Sequence, residues 1–307
     1  MPQLIKWQNV HPNNKHDPRV KIKKVEFYIT NVCNLTCDNC NRYNNHDFKG
    51  WQRWSDYESV YQEWSKHIAL RQIVILGGEP LLNPSILDWI RGLNKIWGWP
   101  LQVLSNGTRL NNVKGLYELL SDRTYPNFVG ISWHNTESLE SLESNIYTFL
   151  GPGARKLDPD HELFKLFQAD FVYLDDNEVS VPVWIQDHFS ESSLRASADG
   201  KFTLHNNNAL QAHSQCGFAL NKNYHFIRGE LYKCGPVALL PEFDLQHKID
   251  MSDEDRILLN SYKPLAASEF SARGNEFLNN IDNPIPQCKF CPVEYNFKKI
   301  TPIRKNS

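Results

Sequence analysis

The sequence predicts an α/β fold in which short parallel strands alternate with helices. Apolar, strand-like segments recur along the chain and are separated by segments whose apolar residues follow the helical period. Strands that alternate with helices of this length form parallel β/α units. The five predicted strands cover 23–30, 72–76, 101–105, 128–132 and 179–186.

The intervening helices are predicted from capping signals and from apolar residues three or four positions apart. SDYE at 55–58 has the pattern of a capping box and predicts a helix through about His67. After Gly-Pro-Gly at 151–153 the alternation loses regularity, and we expect the core to end near residue 195. The other helices are predicted over 84–97, 112–121 and 136–150.

Length and charge predict the domain organisation and exclude some partners. A chain of 307 residues suits one large α/β domain with an appendage, and we expect an arm at 1–22, a core at 23–195 and a second domain at 196–307. The N-terminal segment lacks the apolar stretch of a signal peptide, and no run is long enough to span a membrane, so a cytoplasmic location is expected. The formal net charge is −2 without long blocks of one sign, and neither nucleic acid nor a membrane is an expected partner.

The seven cysteines are the clearest chemical signal. In a reducing compartment an odd number argues against a disulfide framework, so metal ligation is the better interpretation. Three of them, Cys33, Cys37 and Cys40, lie within VCNLTCDNC. Three thiolates leave one position of a metal centre open unless another ligand comes from elsewhere. An open position indicates a centre that carries out chemistry.

The spacing C-x3-C-x2-C after the first strand resembles the cluster-binding motif of the radical S-adenosylmethionine (radical SAM) superfamily. Companion motifs follow in the family's order: GGEP (77–80) after the second strand, SNGT (105–108) after the third and ISWHN (131–135) after the fourth. The resemblance covers about 23–195. It implies an α/β fold with a partial (β/α)6 radical SAM barrel, followed by a small C-terminal α+β domain.

The same resemblance implies the cofactors of the first site. A [4Fe-4S] cluster would be held by the three cysteines, and its fourth iron would bind the amino and carboxylate groups of S-adenosylmethionine. Glu79 would supply a carboxylate to the methionine amino group, and the glycines before it would let the backbone come close. Serine and asparagine side chains at the strand ends are candidate ribose or carboxylate partners. The predicted cofactor-binding residues are Gly77, Gly78, Glu79, Ser105, Asn106 and Ser132.

One position departs from the family pattern, and one alternative ligand set remains open. The family usually has an aromatic residue just before the third cysteine, where this chain has Asn39, and Tyr43 is a candidate substitute in packing the adenine. The triplet could instead bind structural zinc together with a histidine such as His46. The joint order of the motifs favours the iron-sulfur interpretation.

The remaining four cysteines form a second set at Cys216, Cys234, Cys288 and Cys291. HFIRGELYKC predicts a β-hairpin that turns at Gly229, with one cysteine beyond each outer end. The layout resembles the twitch form of the SPASM/twitch extension of radical SAM enzymes, which implies an auxiliary [4Fe-4S] cluster on all four thiolates. A zinc ribbon would use the same ligands, and spacing cannot separate the two.

The resemblance implies an enzyme that cleaves S-adenosylmethionine to a 5′-deoxyadenosyl radical, which abstracts hydrogen from a substrate. A fully ligated second cluster is better suited to accept an electron than to bind substrate. We therefore expect an oxidoreductase that oxidises a small hydroxylated substrate, such as a sugar or aminocyclitol, because the cysteine layout resembles twitch enzymes of that activity. Alternatives are modification of a peptide or protein side chain, and a non-catalytic zinc-binding interaction protein. A flavodoxin or ferredoxin is the expected electron donor; no catalytic base is predicted.

Overall fold

A computed structural model describes residues 17–98, 101–122, 127–134, 137–294 and 297–299. Most of its strands are short and buried, as expected of an α/β protein. In chain order the strands are β1 (Val20–Ile22), β2 (Lys24–Tyr28), β3 (Ile68–Leu70), β4 (Ile73–Leu76), β5 (Leu101–Ser105), β6 (Phe128–Trp133), β7 (Arg155–Lys156), β8 (Phe171–Leu174), β9 (Ser180–Ile185), β10 (His188–Ser190), β11 (Leu194–Ala196), β12 (Phe202–Leu204), β13 (Asn223–Ile227), β14 (Glu230–Tyr232) and β15 (Phe297–Lys299).

Helices connect the strands of the first half and dominate the second half. In chain order they are α1 (Glu58–His67), α2 (Ile86–Trp97), α3 (Leu116–Leu120), α4 (Leu139–Leu150), α5 (Glu162–Phe167), α6 (Ala209–Ser214), α7 (Gly217–Leu220), α8 (Gly235–His247), α9 (Asp253–Asn260) and α10 (Phe270–Asn279).

A nine-stranded mixed sheet forms the centre of the molecule, in the order β14-β13-β2-β4-β5-β6-β9-β8-β7. The six strands from β13 to β9 run parallel, and antiparallel strands complete both edges. All five strands predicted from sequence are present in this sheet. The α/β class and the parallel-rich sheet of a partial radical SAM barrel are confirmed. The sixth parallel strand is β13 of the predicted C-terminal hairpin, and the sequence did not predict that this strand would join the main sheet.

The sheet is covered on both faces because its central strands are apolar on both sides. On β2, Val25 and Phe27 pack in the larger core cluster together with the buried tryptophans of α1 and α2, Trp64 and Trp89. Tyr28 points to the other face and belongs to a second cluster that includes residues of α8. The second cluster therefore joins the N-terminal sheet to the C-terminal helices.

The C-terminal hairpin is an integral part of the main sheet. Strand β13 pairs with β2 in parallel, with Phe226 opposite Phe27. The turn residues Arg228 and Gly229 have φ of 53° and 79°, the positive values that a two-residue hairpin turn requires. The Gly229 carbonyl accepts a hydrogen bond from Trp64 Nε1 at 2.8 Å, which ties the turn to α1. The domain boundary near residue 195 stays a prediction.

Three segments differ in detail from the sequence prediction. Helix α1 begins at Glu58 without a side-chain cap, because Ser55 lies in a preceding 3₁₀ turn and bonds to Asp56 instead. The end of the predicted arm forms β1, which pairs with β3, while residues 1–16 lie outside the described residues. The polar stretch just after residue 195, for which no helix or strand is predicted from sequence, contains β12 and α6.

Candidate functional site

The first cysteine motif forms a loop directly after β2. Cys37 is 7% exposed and packs with Leu35 and Cys33, while Cys33 and Cys40 are half-buried. Burial raises the pKa of Cys37, and the neighbouring thiols of Cys40 and Cys33 raise it further. Thiols this close ionise together only beside a cation. The donor set therefore fits a thiolate-ligated metal group such as an iron-sulfur cluster, with three ligands from one loop.

The two glycines of GGEP allow the loop after β4 to touch the cysteine loop. A Cβ on Gly77 would lie 2.5 Å from the Thr30 carbonyl oxygen, and one on Gly78 would lie 2.3 Å from the Val32 carbonyl oxygen and 2.9 Å from Cys33 Cβ. Gly78 N donates to the Thr30 carbonyl at 2.8 Å. Any side chain at either position would push the two loops apart. The predicted close backbone approach is thus present toward the cysteine loop, and approach to methionine stays a prediction.

Glu79 joins the loop after β4 to the loop after β5. Its carboxylate accepts hydrogen bonds from Ser105 Oγ at 2.8 Å, Asn106 N at 2.7 Å and Leu81 N at 3.0 Å. The residue is fully buried, and burial raises the pKa of Glu79 to about 7 against the opposing effect of these hydrogen bonds. Three predicted site residues, Glu79, Ser105 and Asn106, therefore form one connected group.

Asn34, inside the cysteine motif, connects that group back to the cysteine loop. Asn106 Nδ2 donates to Asn34 Oδ1 at 3.0 Å, and Asn34 Nδ2 donates to Thr108 Oγ1 at 2.7 Å. Ser132 lies on β6 next to β5, half-buried. Among the described residues, no hydrogen bond joins Ser132 to the group. Its role as a cofactor-binding residue stays a prediction.

The two residues considered for adenine packing have distinct environments. Asn39 has a φ of 58°, a left-handed conformation that asparagine tolerates better than an aromatic residue. Tyr43 is fully buried, with its ring 5.8 Å from that of Phe243 in the second core cluster. Tyr43 is therefore a core residue, and its replacement of the family's aromatic residue stays a prediction. His46 packs edge-on against Phe202 at 4.8 Å.

The second cysteine set lines one cavity of about 100 Å³. Cys216 precedes α7 and Cys234 precedes α8, so the β13–β14 hairpin separates the two. Cys288 and Cys291 lie in and just after a 3₁₀ turn, where Cys291 N donates to the Cys288 carbonyl at 3.0 Å. The predicted hairpin is present, and all four cysteines line the same cavity.

The clustered thiols of this cavity could ionise together only around a cationic metal core, and four thiolates would give the ligated group a net negative charge. Burial raises the pKa of Cys234, and the nearby Cys216 and Cys291 raise it further. Burial also raises the pKa of Cys291 to about 12, although Ser193 Oγ lies 3.3 Å from its sulfur. All four thiols are half-buried and line one cavity, and in number and type they match the ligands of a [4Fe-4S] cluster and equally those of zinc. In the described part of the chain, no three His, Cys, Asp or Glu side chains converge as a ready-made mononuclear metal site.

Sequence reasoning missed the charged side chains that surround the two cysteine sets. Lys233 borders the four-cysteine cavity and donates to the carbonyls of Asn280 and Asn283. Glu26 lies on β2, buried, where it pairs with Arg42. An acidic residue in the middle of an otherwise apolar strand, with an arginine just after the third cysteine of the motif, was the signal that could have identified this pair.

The buried Glu26 carboxylate is compensated by the positive charge of Arg42. Burial raises the pKa of Glu26, but the charges that His225, Arg42 and Lys24 can carry lower it, and the net effect is a pKa below the usual range of a glutamate. His225 Nδ1 lies 3.4 Å from Glu26 Oε2, yet burial lowers the pKa of His225 to about 3. The ring is therefore neutral at pH 7, and Arg42 supplies the main compensating charge.

The fold and the sites define an α/β protein with two sets of clustered thiols beside a parallel sheet. Residues 27–141 match the family described as the radical SAM superfamily. This segment is similar to members of that superfamily, which are enzymes, and the similarity implies a [4Fe-4S] cluster and binding of S-adenosylmethionine. The matched residues include the cysteine motif, GGEP and SNGT.

Two curated relatives are similar over part of their length. A protein of Pyrococcus furiosus named "Tungsten-containing aldehyde ferredoxin oxidoreductase cofactor-modifying protein" is 31% identical over 107 residues, covering 34% of this chain and 30% of the relative. A protein of Methanocaldococcus jannaschii named "Probable GTP 3',8-cyclase" is 29% identical over 128 residues, covering 41% of this chain and 39% of the relative. The chain thus spans about a third of the length of these relatives.

Among solved structures, SuiB of Streptococcus suis resembles part of the chain. The crystal structure of SuiB matches with a TM-score of 0.30 and 17% identity, over 41% of this chain and 28% of SuiB. SuiB bound to precursor peptide SuiA matches with a TM-score of 0.31 and 19% identity, over the same shares of the two chains. These scores are too low to support a statement on substrate.

Membrane insertion through a helix has no support in the structure. No helix within the described residues combines the length and the apolar character that crossing a bilayer requires.

Proposed function

We propose that this protein is a radical SAM oxidoreductase with two iron-sulfur sites. The first lies on Cys33, Cys37 and Cys40, and the second lies in the four-cysteine cavity. The observation that carries the proposal is the hydrogen-bonded union of three loops that follow β2, β4 and β5. These strands are parallel neighbours, so their carboxyl ends meet at one edge of the sheet, where α/β proteins bind ligands.

Each loop of this union has a separate task in the proposal. When bound, the cluster and S-adenosylmethionine supply a 5′-deoxyadenosyl radical that removes a hydrogen atom from an unactivated carbon. The cysteine loop holds the cluster and keeps a position open, because it provides three thiols. Glu79 is fixed by Ser105 and Asn106, which makes it a rigid carboxylate for orienting the methionine amino group. Gly77 and Gly78 keep the loops in contact by having no side chain.

The four-cysteine cavity supports an oxidative outcome. All four thiols come from the chain and line one cavity, so a cluster there would be fully ligated and would have no open position for substrate. Removal of a hydrogen atom, a proton and one electron converts an alcohol to a carbonyl, and a cluster held by Cys216, Cys234, Cys288 and Cys291 would be able to accept that electron. The substrate we favour is a small hydroxylated molecule. The names of the two curated relatives, which mention a cofactor and GTP, favour a small molecule over a peptide.

Anaerobic chemical analysis and isotope transfer test this proposal. The reconstituted full-length protein should contain two clusters and should release 5′-deoxyadenosine from S-adenosylmethionine after reduction with dithionite. With a candidate sugar or aminocyclitol deuterated at the oxidised carbon, deuterium should appear in 5′-deoxyadenosine and a carbonyl in the product. Zinc at both sites, without cluster absorbance or 5′-deoxyadenosine, would establish the non-catalytic alternative. If deuterium reached 5′-deoxyadenosine only from a deuterated peptide, the substrate would be a peptide and not a small molecule.

A further inference from the structure

A buried ion pair lies beside the first cysteine motif. Arg42, two residues after Cys40, donates from Nη2 to Glu26 Oε2 at 2.6 Å, and the two side chains are 15% and 8% exposed. Glu26 is fixed in turn by its position on the central strand β2. The guanidinium group is therefore held in one orientation, largely out of water.

The second terminal nitrogen of this guanidinium group has no acceptor. Within the residues that the structure describes, Arg42 Nη1 is buried and without a hydrogen-bond partner. Arg256 provides a contrast: it also pairs with a buried carboxylate, Asp244, but its Nη2 donates to the Ile249 carbonyl at 2.9 Å. An unpaired buried donor is costly, and more so when it is charged. An acceptor that is not part of the polypeptide would remove this cost.

Arg42 Nη1 faces the segments that carry two of the four thiols in the second set. A Cβ on Gly235, the residue after Cys234, would lie 2.5 Å from Nη1. Arg42 Cζ lies 5.3 Å from the ring centroid of Phe218, two residues after Cys216. Phe218 and Cys234 both line the four-cysteine cavity. The free side of the guanidinium group is therefore next to the wall of that cavity.

We propose that Arg42 is a positioning residue that links the two sites: held by Glu26 beside the first cysteine motif, it presents a positive charge and an N–H donor to the anionic group in the four-cysteine cavity. This inference rests on the proposed function, which assigns an iron-sulfur cluster to that cavity. Hydrogen bonds to the sulfurs and the local charge set the reduction potential of such clusters. A cation and a donor stabilise the more negative, reduced state, so Arg42 raises the potential of the auxiliary cluster.

Redox titration of Arg42→Met tests the inference. The full-length protein and the variant are reconstituted anaerobically, and the two clusters are followed by electron paramagnetic resonance as the potential is lowered. The expected result is a lower midpoint potential for the auxiliary cluster, with a smaller change at the first cluster. Arg256→Met is the matched control, because it removes an ion pair to a buried carboxylate outside the cavity, and it should leave the auxiliary potential unchanged.

A second variant guards against a folding defect, since Arg42→Met leaves the Glu26 carboxylate buried without its partner. The double variant Glu26→Gln with Arg42→Gln keeps two groups that can hydrogen-bond but removes both charges, and it should lower the auxiliary potential in the same way. An unchanged auxiliary potential in both variants, or an equal fall in Arg256→Met, overturns the inference while the proposed function stands. Absence of iron from the four-cysteine cavity in the unmodified protein overturns both.

Discussion

The two cysteine sites are built in opposite ways. The first takes three thiols from one short loop, 33–40, whereas the second takes four thiols from both ends of a hairpin and from a turn more than 50 residues later. A local loop can present its ligands once β2 is in place. The distant ligands meet only when the C-terminal helices have packed, because closing a long loop costs conformational entropy. The first site is therefore readable from spacing, and the second depends on the tertiary fold.

The largest expected effects come from cysteine substitutions, which should affect the two sites differently. Cys37→Ala should abolish release of 5′-deoxyadenosine, because two thiols from the loop cannot hold a cluster with one open position. Cys288→Ala should leave cleavage of S-adenosylmethionine measurable but uncoupled from substrate oxidation. Product analysis under anaerobic conditions with dithionite distinguishes these outcomes. Equal loss of soluble, folded protein in both variants would contradict the division of roles.

The contact between the first two motif loops depends on Gly78. Gly78→Ala should destabilise the fold by about 3 kcal/mol or more and reduce iron binding at the first site, because the new methyl group would overlap the Val32 carbonyl. The free energy of unfolding from urea denaturation measures the first effect, and iron content measures the second.

Gly98→Ala is the control for Gly78→Ala. Gly98 has a φ of +62°, but a Cβ there would have nothing within 4 Å. The cost should be only about 1 kcal/mol from the backbone conformation, with iron binding intact. If Gly78→Ala behaved like this control, close contact between the two loops would not be needed for stability or for iron binding.

Glu79 predicts a pH dependence of stability at the first site. Its pKa is raised to about 7 from 4.5, so the folded state binds more protons than the unfolded state between these values. The contribution of Glu79 to the free energy of unfolding is fully present below pH 4.5 and is lost as the pH rises through 7. Between pH 5.5 and 7.5 the unmodified protein should lose about 2 kcal/mol more than Glu79→Gln. Urea denaturation at both pH values measures this difference; parallel pH profiles would contradict it.

The smallest expected effect is on the midpoint potential of the second site, in the variant Ser193→Ala. Its Oγ lies 3.3 Å from Cys291 Sγ, and Ser193→Ala removes that contact without opening the cavity widely. The auxiliary cluster should assemble fully, with a slightly lower midpoint potential, because one hydrogen bond to a ligand sulfur is lost. The first cluster should be unchanged. Loss of iron from the second site in this variant would show that Ser193 has a larger structural role.

The sequence predicted the strands and the local motifs well because these signals are short-range. The apolar run at 72–76 and the helical spacing in 84–97 correspond to β4 and α2. The sequence did not predict that β13 would join β2, since parallel pairing between distant segments leaves no local pattern. The prediction of a capping box at 55–58 was wrong, because a 3₁₀ turn that contains the buried Trp54 precedes the helix at this point.

The candidate site divides in the same way. Spacing placed the cysteines, and strand order placed Glu79 next to Ser105 and Asn106. Spacing could not show that the Glu79 carboxylate would be fully enclosed by these two partners, because burial is a property of the packed structure. The buried pair of Arg42 and Glu26 was missed for the same reason.

The most direct test of the central claim is the iron and sulfide content of the anaerobically reconstituted full-length protein, together with that of Cys37→Ala and Cys288→Ala. Two [4Fe-4S] clusters predict about eight irons per chain in the unmodified protein and about four in each variant. About four irons in the unmodified protein, lost entirely in Cys37→Ala and unchanged in Cys288→Ala, would contradict the claim that the four-cysteine cavity holds a second cluster.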